Sequence, residues 1–202
     1  MTAVQGPPVP GRSYRGMPRH HARATSTMYR AHHVSRGAWW FDSSRSGRFN
    51  LRAPLGTCYA ATKMETAVRE KVRDEVAESG VVSRALAESF VVSILDAPVD
   101  FTCASVSSAG AVRHGLVREL VTMDDYAVPQ EWAEVLHANM FDGIYYASAY
   151  TTGGPTALAL FGDRGAPGSG FAAERHRTGA DACAAAGLTV AGPPAVRSLT
   201  II

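Results

Sequence analysis

Residues 57–80, TCYAATKMETAVREKVRDEVAESG, predict a short β-strand that is followed directly by an α-helix. The first five residues, 57–61, are strand-like. The helix is indicated by apolar side chains that recur every four residues and form one stripe of an amphipathic helix. These side chains are Met64, Val68, Val72 and Val76. The stretch therefore predicts a strand and a helix that share one apolar core.

The ends of this helix also have sequence signals. Thr62 stands three residues before Glu65, which is the spacing of a capping box. Gly80 is expected to end the helix in a left-handed conformation. Glu70 lies well off the centre of the apolar stripe, so its carboxylate can reach the edge of a cleft rather than the core.

Further elements are predicted on both sides of this stretch. Strands are expected at residues 28–32, 90–95, 99–102, 143–148, 156–161 and 195–202, and helices at 129–140 and 178–187. The strands at 143–148 and 156–161, with a Gly-Gly-Pro turn between them, indicate a hairpin. Strands and helices do not alternate regularly, which favours an α+β fold around a mixed or antiparallel sheet.

Two parts of the chain differ in composition. Residues 1–26 contain Gly-Pro-Pro, Pro-Gly and several arginines, and predict a disordered basic arm. Residues 27–202 are expected to form a single domain, since 202 residues suit one domain with a tail better than two domains. The helix and strand expected within 175–202 close this domain.

Composition excludes several classes of protein. Hydrophobic residues make up 46% and charged residues 19%, enough to bury a sizeable core. No apolar run approaches the roughly 18–20 residues that cross a bilayer, so no membrane span is expected. The net charge is only +2, although residues 1–48 hold eight arginines against one aspartate. This balance argues against a dedicated nucleic-acid binder, while the basic front end leaves phosphate binding as an alternative.

The cysteines, histidines and common motifs give mainly negative information. Three widely spaced cysteines without a CxxC pair indicate neither a zinc site nor a disulfide framework, which suits a reducing, cytoplasmic setting. The His-His pairs at 20–21 and 32–33 would point to opposite faces of a strand, so no metal site is predicted. The sequence also lacks the lipase-type serine elbow, the dinucleotide glycine fingerprint and the Walker phosphate loop.

The remaining candidate residues stand at the edges of predicted strands or on the first helix. They are Arg30, Arg48, Tyr59, Glu70 and Ser148. Arg30 lies on a short apolar strand, where an unpaired buried charge is costly and needs a reason.

The blocks around these residues resemble the RES domain, a family named for arginine, glutamate and serine. The resemblance runs over residues 27–161 and is carried by Tyr-Arg at 29–30, Gly-Arg-Phe-Asn at 47–50, LGTCYAA at 55–61, AVRE at 67–70, DGIYYAS at 142–148 and Gly-Gly at 153–154. Phe49 stands where tryptophan is usual in the family, and Ala147 where proline often precedes the serine. Neither difference removes a polar group.

The resemblance implies a fold similar to ADP-ribosyltransferase toxins and an enzyme that consumes NAD as a substrate, without a resident cofactor. RES proteins are bacterial toxins of toxin–antitoxin pairs, usually neutralised by a helix-turn-helix antitoxin. By position, Arg30, Arg48, Tyr59, Glu70 and Ser148 would line the NAD cleft. Members hydrolyse or phosphorolyse NAD or transfer ADP-ribose to a protein, and the sequence does not distinguish these acceptors.

These residue types suit that chemistry. Loss of nicotinamide builds positive charge on the ribose, which a carboxylate such as Glu70 can stabilise. Guanidinium groups, here Arg30 and Arg48, bind phosphate oxygens in a bidentate fork. The ring of Tyr59 can stack on nicotinamide, and Ser148 can hydrogen-bond a ribose or fix the Glu70 rotamer. The alternative is a catalytically inactive module that keeps the fold and binds a nucleotide or a protein.

Overall fold

The computed structural model describes residues 5–168, 170–171 and 173–192. The strands are β1 (Arg19–Ala22), β2 (Thr27–His33), β3 (Leu55–Ala61), β4 (Val82–Ser83), β5 (Phe90–Asp96), β6 (Phe101–Ser105), β7 (Gly143–Tyr146), β8 (Ala157–Asp163), β9 (Ala173–Thr178) and β10 (Val190–Ala191). The helices are α1 (Met64–Ser79), α2 (Arg84–Ser89), α3 (Ala127–Ala138) and α4 (Gly179–Ala185), with 3-10 turns at Ala109–His114 and Arg118–Val121.

Eight of these strands form one sheet in the order β1-β6-β7-β8-β3-β2-β5-β9. Strands β6 and β7 run parallel, and the other neighbours in this sheet run antiparallel. Strands β4 and β10 pair separately and in parallel. The predicted α+β class around a mixed or antiparallel sheet is confirmed, and the sheet is mixed with mostly antiparallel neighbours. The predicted hairpin is also confirmed, because β7 and β8 pair from Gly143 with Leu160 to Tyr146 with Ala157.

The middle of the sheet is open between β2 and β3. Strand β2 pairs with β5 along its whole length, and β3 does the same with β8. Between β2 and β3, however, the register holds one pair, Tyr29 with Ala61. Two strands that meet at a single point must diverge beyond it, so the sheet has a split there.

Helix α1 packs on the β2–β5 side of this split. Val68 and Val72 are 0% and 1% exposed and pack with Phe90, Val92 and residues of α4. Gly80 ends the helix with a φ of 73°, and its N–H donates to the Val76 carbonyl over 3.0 Å, as predicted.

The start of α1 differs from the prediction. Its N-cap is Lys63, which makes no side-chain cap. Thr62 instead donates to the carbonyl of Thr156 at the start of β8, over 3.4 Å. Tertiary pairing with β8 therefore takes the hydroxyl that the capping box needed.

The predicted disorder of residues 1–26 is wrong for the described residues, 5–26. Tyr14 and Met17 are 0% and 2% exposed, and they pack in one core cluster with Trp132 of α3. Residues 19–22 form β1, which pairs with β6 at the edge of the sheet. The polar, proline-rich composition concealed these contacts, because a few buried aromatic and apolar side chains and a partner strand are enough to order the segment.

The C-terminal part agrees with the prediction in its helix, whereas strands β9 and β10 were not predicted. Helix α4 confirms the helix that was predicted at 178–187. The strand that was predicted at 195–202 lies outside the described residues. Within the described part of the chain, no helix combines the length and apolar character that crossing a membrane requires.

Candidate functional site

A cavity of about 420 Å³ lies at the split between β2 and β3 and is closed on one side by α1. Four of the five predicted site residues line it: Arg30, Arg48, Tyr59 and Glu70. The fifth, Ser148, is 1% exposed and lies behind Glu70 rather than on the cavity wall. Residues from three strands or loops and one helix thus meet at one place, although they are far apart in sequence.

Arg30 is buried at the floor of the split. Arg30 is 8% exposed, and its Nη1 atom donates to the Sγ atom of Cys58 on β3. Burial raises the pKa of the Cys58 thiol, so this acceptor is neutral. Among the described residues no carboxylate forms an ion pair with Arg30. Its positive charge is therefore available to an anion in the cavity.

Tyr59 presents its ring to the cavity, while its hydroxyl is already bonded. The hydroxyl donates to Asn50 Oδ1 over 2.9 Å and accepts from the Phe49 main-chain N–H over 2.8 Å. Burial raises the pKa of Tyr59 far above its ordinary value, so the hydroxyl stays protonated. Gly47 lies so close that a β-carbon there would come within 2.6 Å of the hydroxyl oxygen. The ring is consequently held in one position.

Asp42 and Asn50 extend this network and were not assigned a role from the sequence. Asn50 is 0% exposed and donates from Nδ2 to Asp42 over 2.7 Å, and Ser44 donates to the same carboxylate. Burial pushes the pKa of Asp42 up, but the hydrogen bonds from Ser44 and Asn50 outweigh it and hold the pKa below its ordinary value. Asn50 stood in the Gly-Arg-Phe-Asn block, which is the signal that could have found it.

Glu70 brings a carboxylate from α1 to the cavity. It is half-buried, and burial raises its pKa, although Ser148, Arg73 and Arg48 act in the opposite direction. Ser148 Oγ accepts the Tyr150 main-chain N–H over 3.0 Å, which leaves its own hydrogen to donate to Glu70. Ser148 therefore orients the carboxylate and favours its charged form.

Two arginines approach this carboxylate over aromatic rings. The guanidinium carbon of Arg48 lies 4.8 Å from the ring centre of Tyr126, and Nη1 of Arg48 donates to the Met123 carbonyl. The guanidinium carbon of Arg73 lies 5.9 Å from the ring centre of Tyr150. Arg73 was missed in the sequence, although it follows Glu70 by three residues and therefore lies on the same helix face.

The arrangement can hold an anion beside one carboxylate and a flat ring against Tyr59. Arg30 and Arg48 supply donors in the geometry that phosphate oxygens accept. Among the described residues, no group of three histidine, cysteine, aspartate or glutamate side chains lies together as a metal site would require.

The sequence of residues 27–179 matches the model of the RES domain. The chain belongs to the RES domain family. The match covers β2 to β9, including all five predicted site residues, and leaves β1 and the preceding residues outside. The outcome confirms the family that the sequence blocks at 27–161 indicated.

A solved structure has the same fold as this RES domain. It is a chain in the crystal structure of the M. tuberculosis MbcT–MbcA toxin–antitoxin complex, with a TM-score of 0.63 and 19% sequence identity. The alignment covers 83% of this chain and 90% of the other. None of the curated proteins matches the chain.

Proposed function

We propose that this RES domain protein cleaves the bond between nicotinamide and ribose in NAD, which is its substrate and not a resident cofactor. The observation that carries the proposal is that Arg30, Arg48, Tyr59 and Glu70 line one cavity, with Ser148 directed at the carboxylate. Membership of the RES family supports the same reaction.

Glu70 would stabilise the positive charge that builds on the ribose as nicotinamide departs. The carboxylate must be ionised for this role, whereas burial raises its pKa. The nicotinamide ring of NAD is itself cationic, so substrate in the cavity favours the charged carboxylate. Ser148 helps in the same direction. Nicotinamide leaves as a neutral ring, so one carboxylate is enough and no strong general acid is needed.

The other side chains would hold the dinucleotide in position. Arg30 has no carboxylate partner among the described residues, and Arg48 lines the cavity while it donates to the Met123 carbonyl, so both can bind the diphosphate. Tyr59 would stack its ring on nicotinamide. Positioning of this kind can lower a barrier by several kcal/mol, on the order of 7 or more in favourable cases.

We further propose that the protein is the toxin of a bacterial toxin–antitoxin pair and acts in the cytoplasm. Its family and its similarity in fold to a chain of a toxin–antitoxin complex support this. The partner would be a helix-turn-helix antitoxin that covers the cavity. Expression of the chain alone should stop growth of the host, and Glu70→Gln should relieve that effect.

The decisive measurement is release of free nicotinamide from NAD by the purified protein. The reaction is run with water alone, with added phosphate and with a protein extract and labelled NAD, because these three acceptors share the cleavage step. Glu70→Gln should abolish release by all routes. Glu78→Gln, an exposed glutamate on the same helix, is the matched control and should leave it unchanged.

The outcomes separate two classes of function. No release and no labelling by the wild-type protein would remove the enzymatic proposal. NAD binding by calorimetry without turnover would then favour the alternative, an inactive module that binds a nucleotide or a protein. Full activity of Glu70→Gln would show instead that another group stabilises the ribose cation.

A further inference from the structure

The start of the described chain is bound to the segment between the two 3-10 turns. Gln5 is 3% exposed, and its side-chain Oε1 accepts the Val117 N–H over 2.8 Å. Its Nε2 donates to the carbonyl of Gly115 over 3.2 Å. The indole N–H of Trp132 donates to the Gly6 carbonyl over 2.9 Å. Gln5 thus fixes residues 115–117 with both ends of its amide.

From Gln5 a chain of hydrogen bonds leads to the cavity. The main-chain N–H of Gln5 donates to the carboxylate of Glu119. The main-chain carbonyl of Glu119 accepts the N–H of Met123 over 2.9 Å. The carbonyl of Met123 in turn accepts Nη1 of Arg48. Each link joins neighbours directly, so the path from Gln5 to Arg48 is continuous.

The main chain beside Arg48 is held by its neighbours, since the Phe49 N–H donates to Tyr59 and Gln130 Nε2 donates to the Gly47 carbonyl. The guanidinium group of Arg48, in contrast, is held by this path. Arg48 lies in the connection between β2 and β3, close to Ser44 and Ser46, outside any helix or strand. The guanidinium group contacts the Met123 carbonyl and the ring of Tyr126, and both residues follow the segment that Gln5 fixes. Val121, which lies between that segment and Met123, also lines the cavity. A shift of residues 117–126 would therefore move the guanidinium group.

We propose that Gln5 is a positioning residue for Arg48. Its side-chain amide fixes residues 115–117 and its main-chain N–H binds Glu119, and both contacts hold the segment that leads to Met123. The inference rests on the proposed function, because the role given to Arg48 is to bind the diphosphate of NAD. It concerns a part of the chain that the RES match, which begins at residue 27, does not include. The N-terminal segment then contributes to the position of a side chain that binds substrate.

The test compares four variants. Gln5→Ala removes the side-chain amide, and Glu119→Ala removes the acceptor of the Gln5 N–H. Glu119→Gln keeps an acceptor oxygen and serves as the conservative rescue. Arg12→Ala is the control, since Arg12 is exposed and donates to the Arg113 carbonyl, away from the path.

Two readouts are measured for each variant. Hydrogen exchange of residues 117–126 should speed up in Gln5→Ala and Glu119→Ala, and stay unchanged in Arg12→Ala. The KM for NAD should rise between about twofold and thirtyfold in the first two, with kcat little changed. In Glu119→Gln, the exchange rate of residues 117–126 and the KM for NAD should both be close to those of the wild type.

The two readouts keep the failures apart. Hydrogen exchange does not depend on turnover. If the wild-type protein releases no nicotinamide while exchange is still faster in Gln5→Ala and Glu119→Ala, the proposed function is overturned and the coupling stands. Unchanged exchange in Gln5→Ala and Glu119→Ala would overturn the coupling. Faster exchange with an unchanged KM would also overturn it, because the effect would then stop short of Arg48.

Discussion

The hydroxyl of Tyr59 donates its hydrogen to Asn50 Oδ1 over 2.9 Å, so Tyr59 lines the cavity with a hydroxyl that is already bonded. The same oxygen accepts the N–H of Phe49. An enzyme that used this hydroxyl in chemistry would have to break two hydrogen bonds first. The structure therefore shows a packing role for the hydroxyl of Tyr59, and stacking of its ring on nicotinamide stays a proposal.

Tyr59→Phe should keep most of the activity while it lowers stability. The variant retains the ring but leaves the Phe49 N–H and Asn50 Oδ1 without their partner, at a cost of about 1–3 kcal/mol in the free energy of unfolding. Tyr59→Ala should lose both stability and NAD affinity. Urea unfolding and nicotinamide release measure the two effects. An inactive but stable Tyr59→Phe would contradict the stacking role.

Glu70→Gln should be more stable than the wild type at neutral pH. Because burial raises the pKa of Glu70 above its ordinary 4.5, the folded state holds a proton that the unfolded state releases. Stability of the wild type must then fall as the pH rises from 4.5 through the raised pKa. Melting temperatures from pH 4 to 8 test this. The advantage of the variant should appear at pH 7–8 and vanish below 4.5, and an advantage that does not change with pH would refute the cause.

Ser148→Ala should move the acid side of the pH–rate profile to higher pH. Ser148 lowers the pKa of Glu70, so its removal raises that pKa and a higher pH is needed to ionise the carboxylate. Ser107→Ala is the control, because Ser107 Oγ accepts the Ala147 N–H over 2.9 Å and holds the same turn without touching Glu70. Equal shifts in both variants would mean that the turn, and not the hydroxyl, is responsible.

Gly47→Ala should disturb the wall of the cavity. A β-carbon at this position would lie 2.4 Å from Asn50 Oδ1 and 2.6 Å from the Tyr59 hydroxyl, both fixed by hydrogen bonds. We expect a loss of about 1–3 kcal/mol in stability, as for other overpacked sites, and weaker NAD binding. Gly37→Ala, which meets nothing within 4 Å, should be neutral. Wild-type stability of Gly47→Ala would show that Asn50 and Tyr59 can move aside.

Tyr14→Ala tests whether the N-terminal segment is part of the fold. Tyr14 is 0% exposed, and its ring packs edge-on against Trp132 with centres 4.9 Å apart. Truncation of such a buried aromatic costs about 3–5 kcal/mol. Val9→Ala, at a residue that is 56% exposed, should cost little. A mobile arm would instead make both variants neutral in a urea titration.

The elements that the sequence predicted well are those with a strong local pattern. The stripe of α1 with Gly80, the buried strand β5 and the β7–β8 hairpin follow from periodicity and turn residues alone. Strand β1 has the sequence Arg-His-His-Ala, which has no strand pattern, and exists because β6 offers an edge to pair with. Such pairing is tertiary, so a local pattern cannot show it.

The site also contains residues that the sequence predicted and residues that it did not. Arg30, Arg48, Tyr59 and Glu70 were found because sequence blocks mark them, and the structure brings them to one cavity. Their roles stay predictions until activity is measured. Asn50 stands in one of these blocks, but the block does not show that its amide joins a tyrosine and an aspartate, and Asp42 lies outside every block. Gln5 lies more than a hundred residues from Glu119 in sequence and has no local signal either.

The single register pair between β2 and β3 has a mechanical consequence. Strands β2 and β3 share one register pair, Tyr29 with Ala61, whereas β2 with β5 and β3 with β8 share several. The two halves of the sheet are therefore held together by few main-chain hydrogen bonds at the split. A dinucleotide bound by both Arg30 and Arg48 would add contacts across the split that the two strands do not make with each other. Bound substrate should then make the sheet more rigid, and its release should allow larger motions of β2 relative to β3.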